Sequence, residues 1–336
     1  MNNLDVVKLA IKRLEENPEW KSKYEEHSSK MNLEKYKEDR GKFHKPKGLH
    51  VYTCISNVKG CEKYSKYDLR FEGRSVGTVT VEDGKVFLDT RGKENKKNFN
   101  FTDIIDKKVE WVDPVAKNFR KYFENPDTKS NKLQQERSVE EKLLDEFSKP
   151  TRASGKKLCN IQPVKLGSMF FQMPTPLSAS HHSKGEMDIK YSGSAGGGID
   201  ILARIKDKSR KSKLAVIELK DKNTASEPQK EVMWQALAYA TFVGHLLRSE
   251  SGKYWWKEVF GIKEELSDDK PLEIIVATLM PEPEKGCGCE GELDEIPIEE
   301  LNVKLIPQTL YFKMDENMNP VQFSGTFKEN LYKQGE

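Results

Sequence analysis

The sequence has few cysteines and no long apolar segment. Its 336 residues include five cysteines, and their number and spacing do not suggest a disulfide framework, so free thiols and a cytoplasmic location are expected. Cys287 and Cys289 form the motif GCGC, but Cys54 and Cys61 lie far upstream at a spacing that is not typical of a zinc site. Apolar segments such as 272–280 are far shorter than the roughly 20 residues of a membrane-spanning helix. The sequence therefore predicts no membrane segment.

The sequence also lacks a strong excess of charge of either sign. It has 57 Lys and Arg residues against 54 Asp and Glu residues, a formal charge of +3, so the overall charge does not identify a nucleic-acid-binding protein. Residues 1–130 are the more basic part, with about +6, and the remainder is mildly acidic. The simplest interpretation is a solvated, slightly basic surface. The first twenty residues contain no apolar core of the signal-peptide type.

The first part of the chain has the pattern of an α+β region. Apolar spacing predicts charged helices over 2–16 and 19–39 and a helix over 112–123. Alternating segments at 50–58 and 67–90 predict strands, with Asp83-Gly84 as a hairpin turn, and 93–100 reads as an exposed loop. The polar segment 125–131 predicts a boundary. We therefore expect an N-terminal region over 1–130 and a second domain over 131–336.

The second part has a more specific order of elements. The pattern predicts an α/β core with a mixed sheet, in the order helix, three antiparallel strands, helix, strand. The predicted helices are 133–148 and 227–248, and the predicted extended segments are 157–167, 168–174, 199–205, 214–219 and 272–280.

Two acids and a lysine stand out in this core. Asp200 begins one predicted strand, and Glu218 and Lys220 end the next. If the turn between the strands centres near Ser209, residue i pairs with residue 418 − i, so Asp200 lies opposite Glu218. Glu218 and Lys220 share a face because strand side chains alternate with a period of two. The pattern predicts two carboxylates and an ammonium group at one end of a sheet.

Two like charges at facing positions require compensation. A divalent cation is one source, because carboxylate oxygens suit Mg²⁺, which also binds phosphate. Apolar neighbours such as Ile199 and Leu219 mark both strands as buried, where charges need partners or a function. The structural alternative is a salt bridge between Lys220 and one of the acids.

These residues resemble the PD-(D/E)xK nuclease superfamily, in particular its RecB-like branch. The motifs are Gly198-Ile199-Asp200, Glu218-Leu219-Lys220, and Gln235 with Tyr239 four residues later. The resemblance covers about 131–281 and lacks the proline that often precedes the first acid. It implies a restriction-endonuclease-like core and a Mg²⁺ site, with Mn²⁺ as a substitute. The implied ligands are Asp200, Glu218 and the Leu219 carbonyl.

The resemblance also implies a glutamate from the first core helix. Glu140, Glu141 and Glu146 are candidates, and Glu140 falls within the apolar stripe of the helix. Glu141 has capping-box spacing from Ser138 if the helix begins there, which leaves Glu140 as the preferred ligand.

Gln235 has an implied role of its own, because it lies beside the buried stripe of the second helix. By resemblance it orients the Lys220 end of the site or touches the nucleic-acid backbone. The alternative is a boundary glutamine bonded to solvent. Gln229, near the start of the same helix, is a weaker candidate.

Three further features carry less information. The pair His181-His182 could approach phosphate, although a loop histidine pair is more often solvated. Gly196-Gly197-Gly198 could allow close backbone approach, but no G-K-[ST] follows, so it is not a P-loop. The basic run 206–213 fits a solvated hairpin tip or a remote contact with duplex DNA.

Together, these features predict a metal-dependent nuclease that hydrolyses phosphodiester bonds of DNA, in preference to RNA. Asp200, Glu218, Lys220, Glu140 and Gln235 would form its catalytic site. The alternatives are a non-catalytic nuclease-fold module that binds nucleic acid or a protein partner, and a structural protein whose acids are only salt-bridged. Residues 1–130 would supply substrate binding, a homodimer contact or a protein partner.

Overall fold

A computed structural model describes most of the chain. The described residues are 1–53, 60–103, 107–125, 127–128, 135–149, 159–182, 186–193, 197–206, 211–221, 229–282 and 293–326. Among them, no helix is both long enough and apolar enough to cross a bilayer.

The described residues form a mixed α/β structure. The helices are α1 (Asn3–Glu15), α2 (Glu19–Lys30), α3 (Leu33–Arg40), α4 (Asn95–Phe99), α5 (Pro114–Glu124), α6 (Gln135–Ser148), α7 (Gln229–Leu247) and α8 (Gly252–Tyr254), with a π-helical turn at Trp255–Val259 and a 3-10 turn at Glu299–Leu301. The strands are β1 (His50–Thr53), β2 (Tyr64–Phe71), β3 (Arg74–Glu82), β4 (Lys85–Asp89), β5 (Val109–Glu110), β6 (Ile161–Pro163), β7 (Lys165–Leu166), β8 (Met169–Phe170), β9 (Met173–Pro174), β10 (Leu177–His182), β11 (Glu186–Tyr191), β12 (Gly198–Ile199), β13 (Ile201–Lys206), β14 (Ser212–Leu219), β15 (Leu272–Pro281), β16 (Ile296–Ile298), β17 (Val303–Met314) and β18 (Pro320–Gly325).

The chain divides into two compact units that are not simple halves of the sequence. Unit 1 comprises 1–28, 139–164 and 173–336, and unit 2 comprises 29–138 and 165–172. This division differs from the predicted split at residue 130, because α1 and most of α2 belong with the second half of the chain. Unit 2 in turn takes the short strands β7 and β8 from within that half.

Unit 2 is built on a seven-stranded sheet in the order β5-β4-β3-β2-β1-β8-β7. Its neighbours are antiparallel except for β1 and β8, which are parallel. Asp83 and Gly84 connect β3 to β4, and both have positive φ angles, of 50° and 75°. This is the requirement of a type I′ hairpin turn, so the predicted hairpin is confirmed.

One prediction in unit 2 is wrong: the segment 93–100 is not an exposed loop. It contains α4, in which Asn95, Asn98 and Phe99 are buried. The Asn95 amide donates to the Val76 carbonyl at 2.7 Å, and Phe99 packs edge-on against Phe71. The polar composition of the segment concealed this, because its asparagines are buried as hydrogen-bonding groups.

Unit 1 is built on a sheet in the order β6-β13-β14-β15-β17-β16, with β18 added beside β17. β6, β13 and β14 are antiparallel neighbours, and β14, β15 and β17 run parallel. The long helix α7 connects β14 to β15 and buries nearly every side chain. The α/β class and the mixed sheet are therefore confirmed. Two short pairs, β10-β11 and β9-β12, complete the unit.

The N-terminal helices complete the core of unit 1. α1 packs against α7 and β11 through an apolar stripe that includes Val6, Ala10 and Leu14. α2 contributes to an aromatic cluster, which consists of Trp20, Tyr24, His27, Phe242, His245 and Trp255. Because such contacts join residues more than 200 positions apart in the sequence, no local pattern predicts them.

Candidate catalytic site

The two acids meet at one end of the β13–β14 hairpin. The pairing runs from Ile201 opposite Ile217 to Lys206 opposite Ser212, and each pair sums to 418. The predicted register is therefore confirmed. Asp200 directly precedes β13, and its Oδ2 accepts a hydrogen bond from the backbone N–H of Leu219 at 2.9 Å. This bond places the Asp200 carboxylate beside the backbone of Leu219, the residue that follows Glu218.

Lys220 provides a positive charge in the same place. Its Nζ lies 3.5 Å from Oε1 of Glu218, and the two residues are only 8% and 6% exposed. They project from the same side of the strand because they are two residues apart. A buried carboxylate is stable only when it is compensated, and Lys220 is one source of that compensation.

Tyr239 of α7 lies close to both acids. Burial raises the pKa of its hydroxyl, and the charges of Glu218 and Asp200 raise it further. Both carboxylates therefore lie within electrostatic reach of the same phenol. The neighbouring backbone approaches closely: a Cβ on Gly197 would lie 2.6 Å from the Tyr239 hydroxyl oxygen. Glycine at this position therefore allows α7 to pack beside the acids.

Gln235 is buried one turn earlier on α7. Its Nε2 donates to the Ala179 carbonyl at 3.1 Å, and the residue is 9% exposed. The interpretation as a solvated boundary glutamine is therefore wrong. Its Oε1 has no hydrogen-bond partner among the described residues. The amide nitrogen of Gln235 is thus bonded to β10, and its amide oxygen is a buried hydrogen-bond acceptor.

The structure does not distinguish Glu140 from Glu141 in the way that the sequence predicts. The helix already includes Gln135, so Ser138 lies inside it and cannot be the N-cap of a capping box with Glu141. Glu140 and Glu141 are equally buried, at 8% exposed each. Glu146 is more buried and forms an ion pair with Lys149. The argument that favoured Glu140 over Glu141 therefore fails.

The donor chemistry of the site fits a hard divalent cation. Asp200 and Glu218 supply carboxylate oxygens, and Mg²⁺ is commonly held by one or two carboxylates together with waters. Among the described residues, no three His, Cys, Asp or Glu side chains are grouped to hold a metal ion. A third carboxylate from α6 stays a prediction.

The sequence did not predict the row of polar residues that lies beside Glu218. Glu218 is in register with Thr278 of β15, which is in register with Thr309 of β17. Gln229 donates to the Thr278 hydroxyl at 3.3 Å and accepts from the Tyr311 hydroxyl at 2.8 Å. The signal was present, because Thr278 is a polar residue within the otherwise apolar, buried segment 274–280 of β15. These bonds tie the first turn of α7 to the strands next to the acids.

Several predicted features lie outside the described residues. These are the side chains of His181 and His182, the residue Gly196, the hairpin tip 207–210, and the cysteines 54, 287 and 289.

The chain was compared with family models, with curated proteins and with solved structures, and none of the three comparisons gives a match.

Proposed function

We propose that the protein is a metal-dependent nuclease that hydrolyses phosphodiester bonds of DNA. The observation that carries the proposal is the convergence of Asp200, Glu218 and Lys220 at one end of a buried hairpin. Like charges at facing positions destabilise a sheet, so their retention in a buried place suggests a functional role.

The arrangement of elements supports the same proposal. The order α6, then three antiparallel strands, then α7 and a parallel strand is the one that the motif resemblance implies. The resemblance implies that the first acid is followed by E-x-K on the next strand, and Asp200 directly precedes β13 while Glu218 lies in β14.

Each residue then has a chemical role. Asp200, Glu218 and the Leu219 carbonyl would hold the cation, and Glu140 or Glu141 would extend that set. When bound, the cation supplies electrostatic stabilisation of the charge that develops on the phosphate during hydrolysis. Lys220 positions the attacking water and offsets negative charge on the phosphate.

The test uses single-turnover cleavage of DNA together with a Mn²⁺ titration. Linear, circular and single-stranded DNA are each incubated with the protein, with and without Mn²⁺. Asp200→Ala should abolish both cleavage and metal binding. Lys220→Ala should lower the cleavage rate by about 10²–10⁴-fold and leave metal affinity similar or slightly higher, because a neighbouring positive charge is gone.

Lys213→Ala is the matched control, since Lys213 lies at the other end of β14 and pairs with Glu273. It should cleave at the wild-type rate. A protein that binds DNA but cleaves none of the substrates would favour the non-catalytic module. Absence of Mn²⁺ binding would leave only the structural role for the acids. Cleavage by Lys220→Ala at the wild-type rate would reduce Lys220 to a structural counter-ion.

A further inference from the structure

Unit 2 is strongly basic, which the small net charge of the whole chain conceals. Its residues include 26 Lys and Arg against 17 Asp and Glu, a net charge of +9, whereas unit 1 carries −6. A net charge of +9 on about 118 residues (29–138 and 165–172) creates a positive potential that attracts polyanions. The next question is where on the surface of unit 2 this excess positive charge lies.

The sheet of unit 2 has one buried face and one open face. Side chains of β2 alternate strictly between buried and half-buried. The buried face includes Tyr67, Leu69 and Phe71, which pack with α3, α4 and α5. The open face has polar groups at the alternate positions, such as Lys66 and Asp68. An antiparallel sheet commonly has a solvated face, and the one in unit 2 includes several cations.

The open face contains a groove of about 490 Å³. Its floor is formed by residues in register across β2, β3 and β4, where Lys66 lies opposite Thr80, and Thr78 opposite Asp89. The lining residues are mostly polar or charged: Tyr64, Lys66, Thr78, Thr80, Glu82, Asp89, Arg91, Gly92, Lys93 and Lys108. Four cations, three hydroxyl groups and two carboxylates therefore line a single depression.

The row of cations continues beyond the groove. Tyr52 is in register with Asp68 on one side and with Phe170 on the other, so the same face extends across β1 and β8. The Arg70 guanidinium lies 4.0 Å from the centre of the Tyr52 ring, and Lys165 lies 4.1 Å from that of Phe170. Aromatic rings thus support the long cationic side chains and hold their charged ends at the surface.

Carboxylates on this face orient the cations but do not neutralise them all. Arg91 pairs with Asp89 at 2.7 Å, and Lys108 pairs with Glu82 at 2.6 Å. Such solvated pairs contribute little stability, and an arginine that binds one carboxylate retains N–H groups for a second acceptor. Phosphate oxygens can therefore be accommodated at Arg91 and Lys108 with little loss of existing interactions, whereas Lys93 and Arg70 share the less exposed carboxylate of Asp68.

We propose that this open sheet face binds the phosphodiester backbone of DNA, with the groove around Lys66 and Arg91 as its centre. The choice of DNA rests on the proposed function, and the polyanionic character of the partner rests on the charge of unit 2. Two threonine hydroxyls and four cations suit phosphate oxygens, which need hydrogen-bond donors and positive charge. The surface would hold the substrate without contacting the reacting bond.

The experiment measures binding of the full-length protein to a labelled 30-base-pair DNA duplex in EDTA, so that no cleavage occurs. Lys66→Gln/Arg91→Gln should weaken binding by about 10- to 100-fold near 0.1 M salt and should reduce the salt slope by about 2. The matched control is Lys117→Gln/Lys121→Gln, which removes the same charge from exposed positions on α5. That control should change affinity by less than about threefold, because α5 packs on the other face of the sheet.

A second variant guards against an indirect effect of charge removal. Thr80→Glu keeps every cation but places a carboxylate on the groove floor, and it should weaken binding by at least about tenfold through repulsion of phosphate. Equal weakening by the groove and α5 variants would overturn the inference, as would wild-type affinity of Thr80→Glu. A groove-dependent preference for an RNA duplex of the same length would overturn the assignment to DNA.

The test of the groove can succeed or fail independently of the test of nuclease activity. A protein that binds DNA through the groove and never cleaves it would refute nuclease activity and support the groove. A protein that cleaves DNA, and whose groove variant binds DNA as the α5 control does, would refute the groove and leave the nuclease proposal intact.

Discussion

Lowering the pH from 7.5 to 5 should reduce the free energy of unfolding by about 2 kcal/mol through His27 alone. His27 is 3% exposed and stacks on Trp255, with 4.7 Å between ring centres. Neither of its ring nitrogens has a hydrogen-bond partner among the described residues. Burial lowers the pKa of His27 to about 4, because a protonated imidazole would have to give up its hydration.

The sign follows from the two states of the protein. The unfolded chain takes up a proton at an ordinary histidine pKa of about 6.5, whereas the folded chain does so only near 4. Between these values the unfolded state binds more protons. Stability is therefore fully present above pH 6.5 and is lost as the pH falls toward 4. At pH 5 the greater proton binding of the unfolded state lowers the free energy of unfolding by about 2 kcal/mol.

The assay is urea unfolding at pH 7.5 and pH 5, followed by tryptophan fluorescence, for the wild type and for His27→Phe. The phenyl ring keeps the stacking and has no nitrogen to protonate, so the pH-dependent loss should be smaller by about 2 kcal/mol. His245, whose pKa burial also lowers to about 4, contributes to both proteins and cancels in the comparison.

The exposed residue His44 provides a control, and His44→Phe should retain the pH dependence of the wild type. At pH 7.5 the His27→Phe protein should be at least as stable as the wild type, because two buried polar atoms without partners are removed. If His27→Phe lost stability between pH 7.5 and pH 5 as steeply as the wild type, the buried neutral histidine would not be the cause.

Two further predictions concern the candidate site. Gly197→Ala should destabilise the protein by about 1–3 kcal/mol. In the Tyr239→Phe background the same substitution should destabilise the protein less, because the hydroxyl 2.6 Å from the new Cβ is gone. Additive losses of stability in chemical unfolding would contradict this contact. Of Glu140→Gln and Glu141→Gln, only the variant of the glutamate that faces Asp200 should weaken Mn²⁺ binding in a titration, and equal wild-type affinities would remove α6 from the site.

The sequence predicted the hairpin that carries Asp200 and Glu218 because its information is local. Apolar residues and a polar tip define β13 and β14, and a short connection permits one register that keeps both strands buried. The Asp83-Gly84 turn was predictable for a similar reason, since few residue pairs adopt two successive positive φ angles.

The remaining features depend on long-range packing or on context beyond a short window. The sequence predicted a helix over 133–148, and the observed helix begins at Gln135. The preference for Glu140 over Glu141 depended on a capping box at Ser138, which would require the helix to begin there, and a short motif does not fix that start. The hydrogen bonds of Gln235 to β10 and of Gln229 to β15 join segments about 50 residues apart. A polar residue in an apolar helix signals that it has a partner but not which one.

The pairing of α1 and α2 with α7 also imposes an order on synthesis. About 200 residues separate the end of α2 from the start of α7, which corresponds to roughly 10–40 s of translation at about 5–20 residues per second. During that interval, the apolar stripe of α1 and the aromatic side chains Trp20 and Tyr24 are made but lack their native partners on α7. The first thirty residues are thus the part of the nascent chain that must be kept from aggregation until the second half emerges.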